Sequence, residues 1–260
     1  MKMQLIDTHC HLYLEAFKAD IEPVMARAAA DGVERFYLPA IDSSELDNLL
    51  NLEKFWPGKC YAMMGLHPCS VKENHSEELK LVESWLAKRA FVAVGEIGLD
   101  YYWDKTFVKE QQEAFHQQIE WAQAYNIPIV IHSRNSVDDC IRIVQEHQNG
   151  SLKGIFHCFS DGIEAAEKIM ALGFYMGIGG VVTYKNAGLA EVVKNIPLEH
   201  LVLETDAPYL TPVPFRGKRN ESSYLKYIAE KIADIKNISL EEMAAVTTAN
   251  AEKIFGKYDF

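Results

Sequence analysis

Asp7-Thr8-His9-Cys10-His11 follows a short apolar run, Gln4-Leu5-Ile6, near the start of the 260-residue sequence. Side chains alternate between the two faces of a β-strand, so the two histidines point one way while Thr8 and Cys10 point the other. Two imidazoles with this spacing can bind one metal ion. The alternative is a strand that ends in solvent with two polar residues, and the short motif alone does not decide between them.

The first strand is one of eight short runs rich in β-branched or aromatic residues, which is typical of buried parallel strands. These runs occupy residues 4–7, 33–38, 60–65, 91–94, 128–131, 154–156, 174–178 and 201–203. Amphipathic segments between them predict helices at residues 20–31, 43–55, 76–88, 108–125, 136–146, 163–171 and 187–195. Two more helices, at 221–235 and 239–246, and a short helical tail at 249–255 follow the last strand.

Eight strands alternating with helices predict an α/β fold, a (β/α)8 TIM barrel that forms a single domain over residues 1–260. A doubly wound open sheet is the structural alternative. It usually has fewer strands, and no glycine-rich phosphate loop follows the first strand here. In a barrel, functional residues lie at the C-terminal ends of the strands.

Composition limits the classes of function. No apolar run approaches the roughly 18 residues of a membrane span, and no signal-peptide pattern opens the sequence, so we predict a cytoplasmic protein without a membrane partner. The five cysteines are odd in number and scattered, which argues against a disulfide framework or a zinc ribbon. The net charge of −11 argues against a protein that coats nucleic acid with a basic face. Nothing in the sequence indicates an obligatory protein partner.

Histidines and carboxylates concentrate at the ends of the predicted strands. The residues concerned are His9, His11, His67, Glu96, His132, His157 and Asp206. Because strand ends meet at the mouth of a barrel, we expect these side chains to converge. One catalytic zinc ion uses three protein ligands, so the larger set favours two divalent ions bridged by a carboxylate.

Several motifs together resemble the TatD-type metal-dependent deoxyribonucleases of the amidohydrolase superfamily. They are Asp7-Thr8-His9-Cys10-His11, Gly65-Leu66-His67-Pro68, Gly95-Glu96-Ile97-Gly98-Leu99-Asp100, Ile131-His132-Ser133-Arg134, His157-Cys158-Phe159-Ser160, Glu204-Thr205-Asp206-Ala207-Pro208-Tyr209, Arg216-Gly217-Lys218-Arg219-Asn220-Glu221, Thr248-Ala249-Asn250 and Ile254-Phe255-Gly256. The resemblance covers essentially the whole chain in the right order. Family members commonly have proline after the Arg-Asn-Glu run, where this sequence has Ser222-Ser223.

The resemblance implies a residue set for each role. It places His9, His11 and Asp206 on one ion and His132 and His157 on the second, with Glu96 bridging the two. Asp206 and Glu96 are the predicted catalytic residues. Substrate phosphate is expected to contact His67, Arg134 and Arg219, with Arg216 a further candidate. The cofactors are two divalent ions per chain, and the mixed oxygen and imidazole ligands suit magnesium, manganese, zinc or iron without distinguishing them.

The implied activity is hydrolysis of nucleic-acid phosphodiesters, as a 3′–5′ exonuclease on single-stranded DNA or RNA. The alternative enzyme hydrolyses amide or ester bonds, including aminoacyl esters. Many binuclear relatives of that kind bridge their ions with a carboxylated lysine, whereas Glu96 stands here. A non-catalytic scaffold is the third class, but it should have lost a ligand. Tyr101-Tyr102-Trp103, after the fourth strand, predicts either stacking on unpaired bases or core packing.

Overall fold

The structure, a computed structural model, describes residues 4–256. Within that range, eight strands alternate with helices in the order that the apolar runs predict. The strands are β1 Leu5–Asp7, β2 Val33–Leu38, β3 Cys60–Ala62, β4 Val94–Asp100, β5 Ile129–Arg134, β6 Gly154–Phe156, β7 Tyr175–Ile178 and β8 Leu201–Leu203. All paired strands are parallel, so their C-terminal ends share one edge.

The strands follow one another around a barrel. β1 to β3 form one sheet and β4 to β8 another. Between the sheets, Met64 N donates to Ala93 O at 3.2 Å and Gly95 N donates to Met64 O at 3.0 Å. At the second seam, Thr8 N donates to Leu203 O at 3.0 Å. The predicted α/β barrel is therefore confirmed, with two seams where a few hydrogen bonds replace regular strand pairing.

The helices surround the barrel with bounds close to those predicted. They are α1 Glu15–Lys18, α2 Ile21–Ala30, α3 Leu46–Phe55, α4 His75–Lys88, α5 Val108–Tyr125, α6 Val137–His147, α7 Ile163–Ala171, α8 Leu189–Asn195, α9 Leu225–Lys236 and α10 Leu240–Phe255. The one-turn helix α1 was not predicted. The predicted break between 246 and 249 is wrong, because α10 is unbroken and packs through it, with Thr247 buried and its hydroxyl donating to Met243 O at 2.9 Å. None of the helices in residues 4–256 is long and apolar enough to cross a membrane.

The interior of the barrel is apolar at the end away from the histidines. One buried cluster joins strand residues such as Ile6, Val130 and Val202 to the end of α10. There Phe255 stacks on Tyr37 with ring centroids 4.0 Å apart. The polar strand ends lie at the opposite edge, where barrels of this kind carry their functional residues.

Strand β4 lies later in the sequence than predicted. The apolar run 91–94 indicated its position, but the strand spans Val94–Asp100, so Glu96 lies within β4 rather than after it. Pairing with β5 shifts register between Gly95 and Ile97, an irregularity that strands often carry beside active sites. At Gly98, φ is +128°, and a Cβ atom would lie 2.2 Å from His132 O. Only glycine permits this approach, which brings Glu96 and His132 side by side.

Candidate metal centre

The ends of five strands meet around the carboxylate of Glu96, which is 2% exposed. The shortest distances from its oxygens to imidazole nitrogens are 2.9 Å for His132 and His157, 3.1 Å for His9 and His67, and 3.6 Å for His11. Its Oε2 faces His9 and His11, whereas Oε1 faces the other three rings. One carboxylate is thus placed to serve two ligand groups.

The first group consists of His9, His11 and Asp206, whose candidate ligand atoms all lie within 4.8 Å of one another. The two Nε2 atoms lie 3.8 Å and 3.5 Å from Asp206 Oδ1. Thr8 points the other way, and its hydroxyl donates to Leu203 O at 2.9 Å. The alternation expected after the first strand therefore holds in the structure.

His11 is held in the tautomer that a metal ligand needs. The Tyr13 hydroxyl donates to Pro39 O at 2.6 Å, so its oxygen is free to accept from His11 Nδ1 at 3.0 Å. With the proton on Nδ1, the Nε2 lone pair faces Glu96 and Asp206. Tyr13, two positions along the chain, thus orients the predicted ligand His11.

The second group is formed by His132 and His157 against Glu96 Oε1. His132 Nε2 lies 2.8 Å from Asp100 Oδ2, so a proton on Nε2 leaves the Nδ1 lone pair toward Glu96. His157 Nδ1 lies 3.4 Å from Glu204 Oε1, and its Nε2 points to Glu96. A carboxylate behind a histidine is the usual support of a metal ligand, and Asp100 gives His132 this support. Glu204 lies behind His157 without a hydrogen bond to its Nδ1 within the described residues.

Asp100 and Glu204 belong to the sequence motifs, but no role was predicted for either residue. Both are buried, at 1% and 0% exposed. Asp100 lies four residues after Glu96, and residues four apart on one strand point to the same face. This spacing was the signal in the sequence for Asp100. Glu204 Oε1 also accepts from Cys158 N at 2.6 Å, and a Cβ atom on Gly177 would lie 2.0 Å from its Oε2. That contact between strands was not readable from the sequence.

His67 presents a different atom to the centre. Its Nδ1 accepts from Cys69 N at 3.0 Å, so the proton lies on Nε2, which faces Glu96 Oε1 at 3.1 Å. An N–H group is a donor for anions, whereas a histidine that binds a metal ion offers a lone pair. This tautomer suits the predicted contact of His67 with substrate phosphate, and that role stays a prediction.

The loop after β8 holds Asp206 in a left-handed conformation, with φ of +54°. Thr205 donates to the buried carboxylate of Asp7 from its backbone N at 2.9 Å and from its hydroxyl at 2.6 Å. Ser222 Oγ donates to the same carboxylate at 2.6 Å, and Asn220 Nδ2 donates to Thr205 O at 2.8 Å. The proline that is common at this position has no hydroxyl and could not make this hydrogen bond. Ser222 therefore links β1 to the segment that leads into α9.

The electrostatics favour positive charge between these groups. Burial opposes ionisation of Glu96, but the neighbouring charges of His157, His67 and His9 hold its pKa well below the usual range. Burial likewise opposes the charge on His157, yet Glu96 and Glu204 raise its pKa well above the usual value. The pKa of Asp206 is lowered despite burial, by its hydrogen bond with His11 and the charges of His157 and His9. Metal binding requires neutral imidazoles, so it releases protons and weakens in acid.

The donor set fits divalent metal ions. Within the described part of the chain, both ring nitrogens of the buried His9 lack a hydrogen-bond partner. A buried polar atom without a partner costs free energy, and a cation facing Nε2 would remove that cost at one of them. Nitrogen and oxygen donors converge on this atom from Glu96, His157, His11 and Asp206. The ligand roles of these residues remain predictions, and the structure places all six predicted ligands together.

Most arginines are engaged with carboxylates. Of the seven arginines, all within residues 4–256, five form ion pairs: Arg27, Arg35, Arg89, Arg142 and Arg219. Arg219 binds Asp20 with two hydrogen bonds of 2.7 Å, so its predicted contact with substrate requires this pair to open. In the same range, Arg134 and Arg216 pair with no carboxylate. Each lies over a tyrosine near the mouth, Arg134 4.0 Å from the Tyr102 centroid and Arg216 4.2 Å from that of Tyr184.

Comparison with known proteins gives a consistent family match. The sequence model of the family described as TatD related DNase matches residues 6–256. The uncharacterized metal-dependent hydrolase YabD of Bacillus subtilis is 42% identical over 96% of this chain and 98% of its own length. Its counterpart YcfH of Escherichia coli is 35% identical over 97% of this chain and 96% of its own length.

Solved structures share the same barrel. The TatD homolog YjjV from Escherichia coli superposes with a TM-score of 0.93 at 30% identity, covering 99% of this chain and 100% of that one. A hydrolase of the TatD family from Entamoeba histolytica gives a TM-score of 0.81 at 26% identity, covering 98% and 99% of the two chains. Each likeness covers nearly the whole of this chain.

Proposed function

This chain belongs to the family of TatD related DNases, a family of metal-dependent hydrolases, and from that premise we propose that it cleaves the phosphodiester bonds of single-stranded nucleic acid from the 3′ end. The proposed cofactor is a pair of divalent ions held by His9, His11 and Asp206 on one side and by His132 and His157 on the other. We propose that it acts in the cytoplasm and needs no protein partner.

One observation carries this proposal: a single buried carboxylate, Glu96, contacts imidazoles from both ligand groups. Glutamate in this position joins the two groups without a modified lysine. When bound, two divalent cations lower the pKa of a water molecule and polarise a phosphoryl oxygen.

The protein's own groups divide the remaining work. Asp206 is 13% exposed and therefore more open to the mouth than Glu96 at 2%. Its lowered pKa keeps it ionised at neutral pH, so it can accept a proton from the attacking water. His67 offers an N–H from the opposite side, where it would bind a phosphate oxygen and orient the ester for attack.

The mouth also matches a phosphate-bearing substrate held at few points. Arg134 and Arg216 leave their guanidinium groups available, and such groups bind phosphate oxygens bidentately. Amide and aminoacyl-ester substrates carry no such phosphate at the scissile bond. Free cations at the mouth therefore favour a nucleic-acid substrate over simple amides and lactones. Aminoacyl esters of a nucleic acid carry phosphate on the neighbouring nucleotide and are separated by the assay that follows.

The test is a nuclease assay on single strands labelled at the 5′ or the 3′ end, with magnesium, manganese and zinc supplied separately. Stepwise shortening from the 3′ end supports the proposal. A parallel set of amide, lactone and aminoacyl-ester substrates serves as the competing arm. If those substrates are hydrolysed while the nucleic acid stays uncut, the protein is an amidohydrolase and not a nuclease.

Salt dependence gives a prediction that follows from the few free cations. Binding that neutralises two or three phosphates, through Arg134, Arg216 and the bound ions, should weaken with a log–log slope of roughly −1.4 to −2, at about −0.7 per phosphate of a single strand. The measurement is strand affinity of a metal-loaded, slowly cleaving Asp206→Asn protein across a salt series, taken before the strand is cut. A slope near about −5 would instead require an extended basic groove, which the net charge of −11 argues against.

A further inference from the structure

The loop that follows β4 carries two large aromatic side chains into solvent. Tyr102 is 51% exposed and Trp103 is 67% exposed. Their rings meet edge to face, with centroids 4.9 Å apart and planes at 85°. Because β4 ends at Asp100, both rings stand at the mouth of the barrel, beside the candidate metal centre. Together with Arg134, they are called here the β4 aromatic surface.

The backbone under this surface is fixed. Asp100 Oδ1 accepts hydrogen bonds of 2.9 Å from the backbone N of Tyr102 and of Trp103. Its other oxygen lies 2.8 Å from His132 Nε2. One carboxylate thus joins the backbone of the loop to a predicted metal ligand.

The neighbouring tyrosine anchors the loop from behind. The Tyr101 hydroxyl donates to Asp139 Oδ2 at 2.9 Å and accepts from Gln112 Nε2 at 2.8 Å, while Tyr101 N donates to Arg134 O at 2.9 Å. Of the three consecutive aromatic residues, Tyr101 therefore has a structural role, and the side chains of the two that follow are exposed to solvent. Core packing accounts for the first ring only.

Arg134 completes the surface. Its guanidinium carbon lies 4.0 Å from the Tyr102 centroid and 5.1 Å from the Trp103 centroid, and no carboxylate of residues 4–256 pairs with it. A cation held over aromatic rings, free to bind an anion, offers phosphate binding and stacking in one place. The partner that combines an anionic phosphate with a flat apolar ring is a nucleotide with its base unpaired.

We propose that the β4 aromatic surface is a base-stacking subsite, in which Trp103 stacks on an unpaired base of the strand whose phosphodiester lies at the metal centre. This inference rests on the proposed function and adds a substrate-binding site to it. A base inside a duplex has both faces covered by its neighbours and cannot occupy the subsite, whereas an unpaired base at a strand end can. Recognition of the ring face does not depend on base identity, so the subsite selects single strands without selecting a sequence.

The test uses the metal-loaded Asp206→Asn protein and two labelled probes, a short thymidine single strand and the same strand with abasic residues at its 3′ end. Trp103→Leu in this background should weaken binding of the normal strand about 5- to 100-fold, the range expected for one lost base–aromatic stack. Binding of the abasic strand should not change. Trp103→Phe should retain most of the affinity, because it keeps a ring.

Phe55→Leu is the matched control, because Phe55 is a 79% exposed aromatic residue at the end of α3, remote from the mouth. It should bind both strands as the parent protein does. Equal affinity of the Trp103→Leu and parent proteins for the normal strand would overturn the subsite, as would equal losses for the two strands. Nuclease activity on end-labelled strands is scored separately with the unsubstituted protein, so failure of the subsite and failure of the proposed function give different results.

Discussion

Glu96→Gln should remove both the bound metal and the activity. The carboxylate lies between the two ligand groups, with Oε2 facing His9 and Oε1 facing His132 and His157. A neutral amide of the same shape offers one oxygen and no negative charge, so one site loses its shared oxygen and the other keeps only an uncharged one. We expect metal content to fall from about two equivalents per chain to fewer than about one, because metal affinity depends on deprotonated, charged ligands.

Elemental analysis of the purified variant, with circular dichroism to confirm that it is folded, measures this effect. The matched control is Glu252→Gln, which removes a carboxylate that pairs with Arg35 at 2.5 Å on α10. That variant should keep its metal and its turnover. Two full equivalents of metal in the Glu96→Gln protein would show that Glu96 does not bridge.

Asp206→Asn should affect catalysis more than metal binding. The amide oxygen can still face His9 and His11, but the side chain can no longer accept a proton. Loss of a general base lowers turnover by a factor on the order of 10²–10⁴. We therefore expect metal largely retained and hydrolysis slowed by that factor, a separation that Glu96→Gln should not show.

Single-turnover kinetics on a 3′-labelled strand, with metal content measured on the same sample, test the separation. Asp138→Asn serves as the control, since Asp138 is a surface carboxylate that pairs with Lys168 at 2.9 Å. Turnover near that of the unsubstituted protein at neutral pH would remove Asp206 from the mechanism.

The sequence predicted the barrel because its eight apolar runs are short, β-branched and evenly spaced. It misplaced β4, because Gly95, Glu96 and Gly98 do not read as a strand, although Val94–Asp100 is one. The bulge and the close approach of Gly98 to His132 depend on contacts with β5, which a local pattern does not carry. Tertiary packing likewise carries α10 through the predicted break at residues 247 and 248.

The predicted ligands of the candidate site could be found from the sequence, but the residues that position those ligands could not. Strand-end position identified seven candidate residues, since parallel strands bring such residues together. The family resemblance then selected six of them as predicted ligands. The carboxylates behind the histidines, Asp100 and Glu204, became visible only from distances. The roles of the arginines were the least predictable. Whether a guanidinium group is free or paired depends on residues far apart in sequence, as the pair of Arg219 with Asp20 illustrates.

The central claim is that this barrel holds two metal ions that share Glu96. Anomalous diffraction from crystals grown with manganese tests it most directly, because each bound ion gives its own peak. We expect two peaks per chain, one contacting His9, His11 and Asp206 and one contacting His132 and His157, with Glu96 touching both. A single peak, or two peaks of which only one contacts Glu96, would contradict the claim.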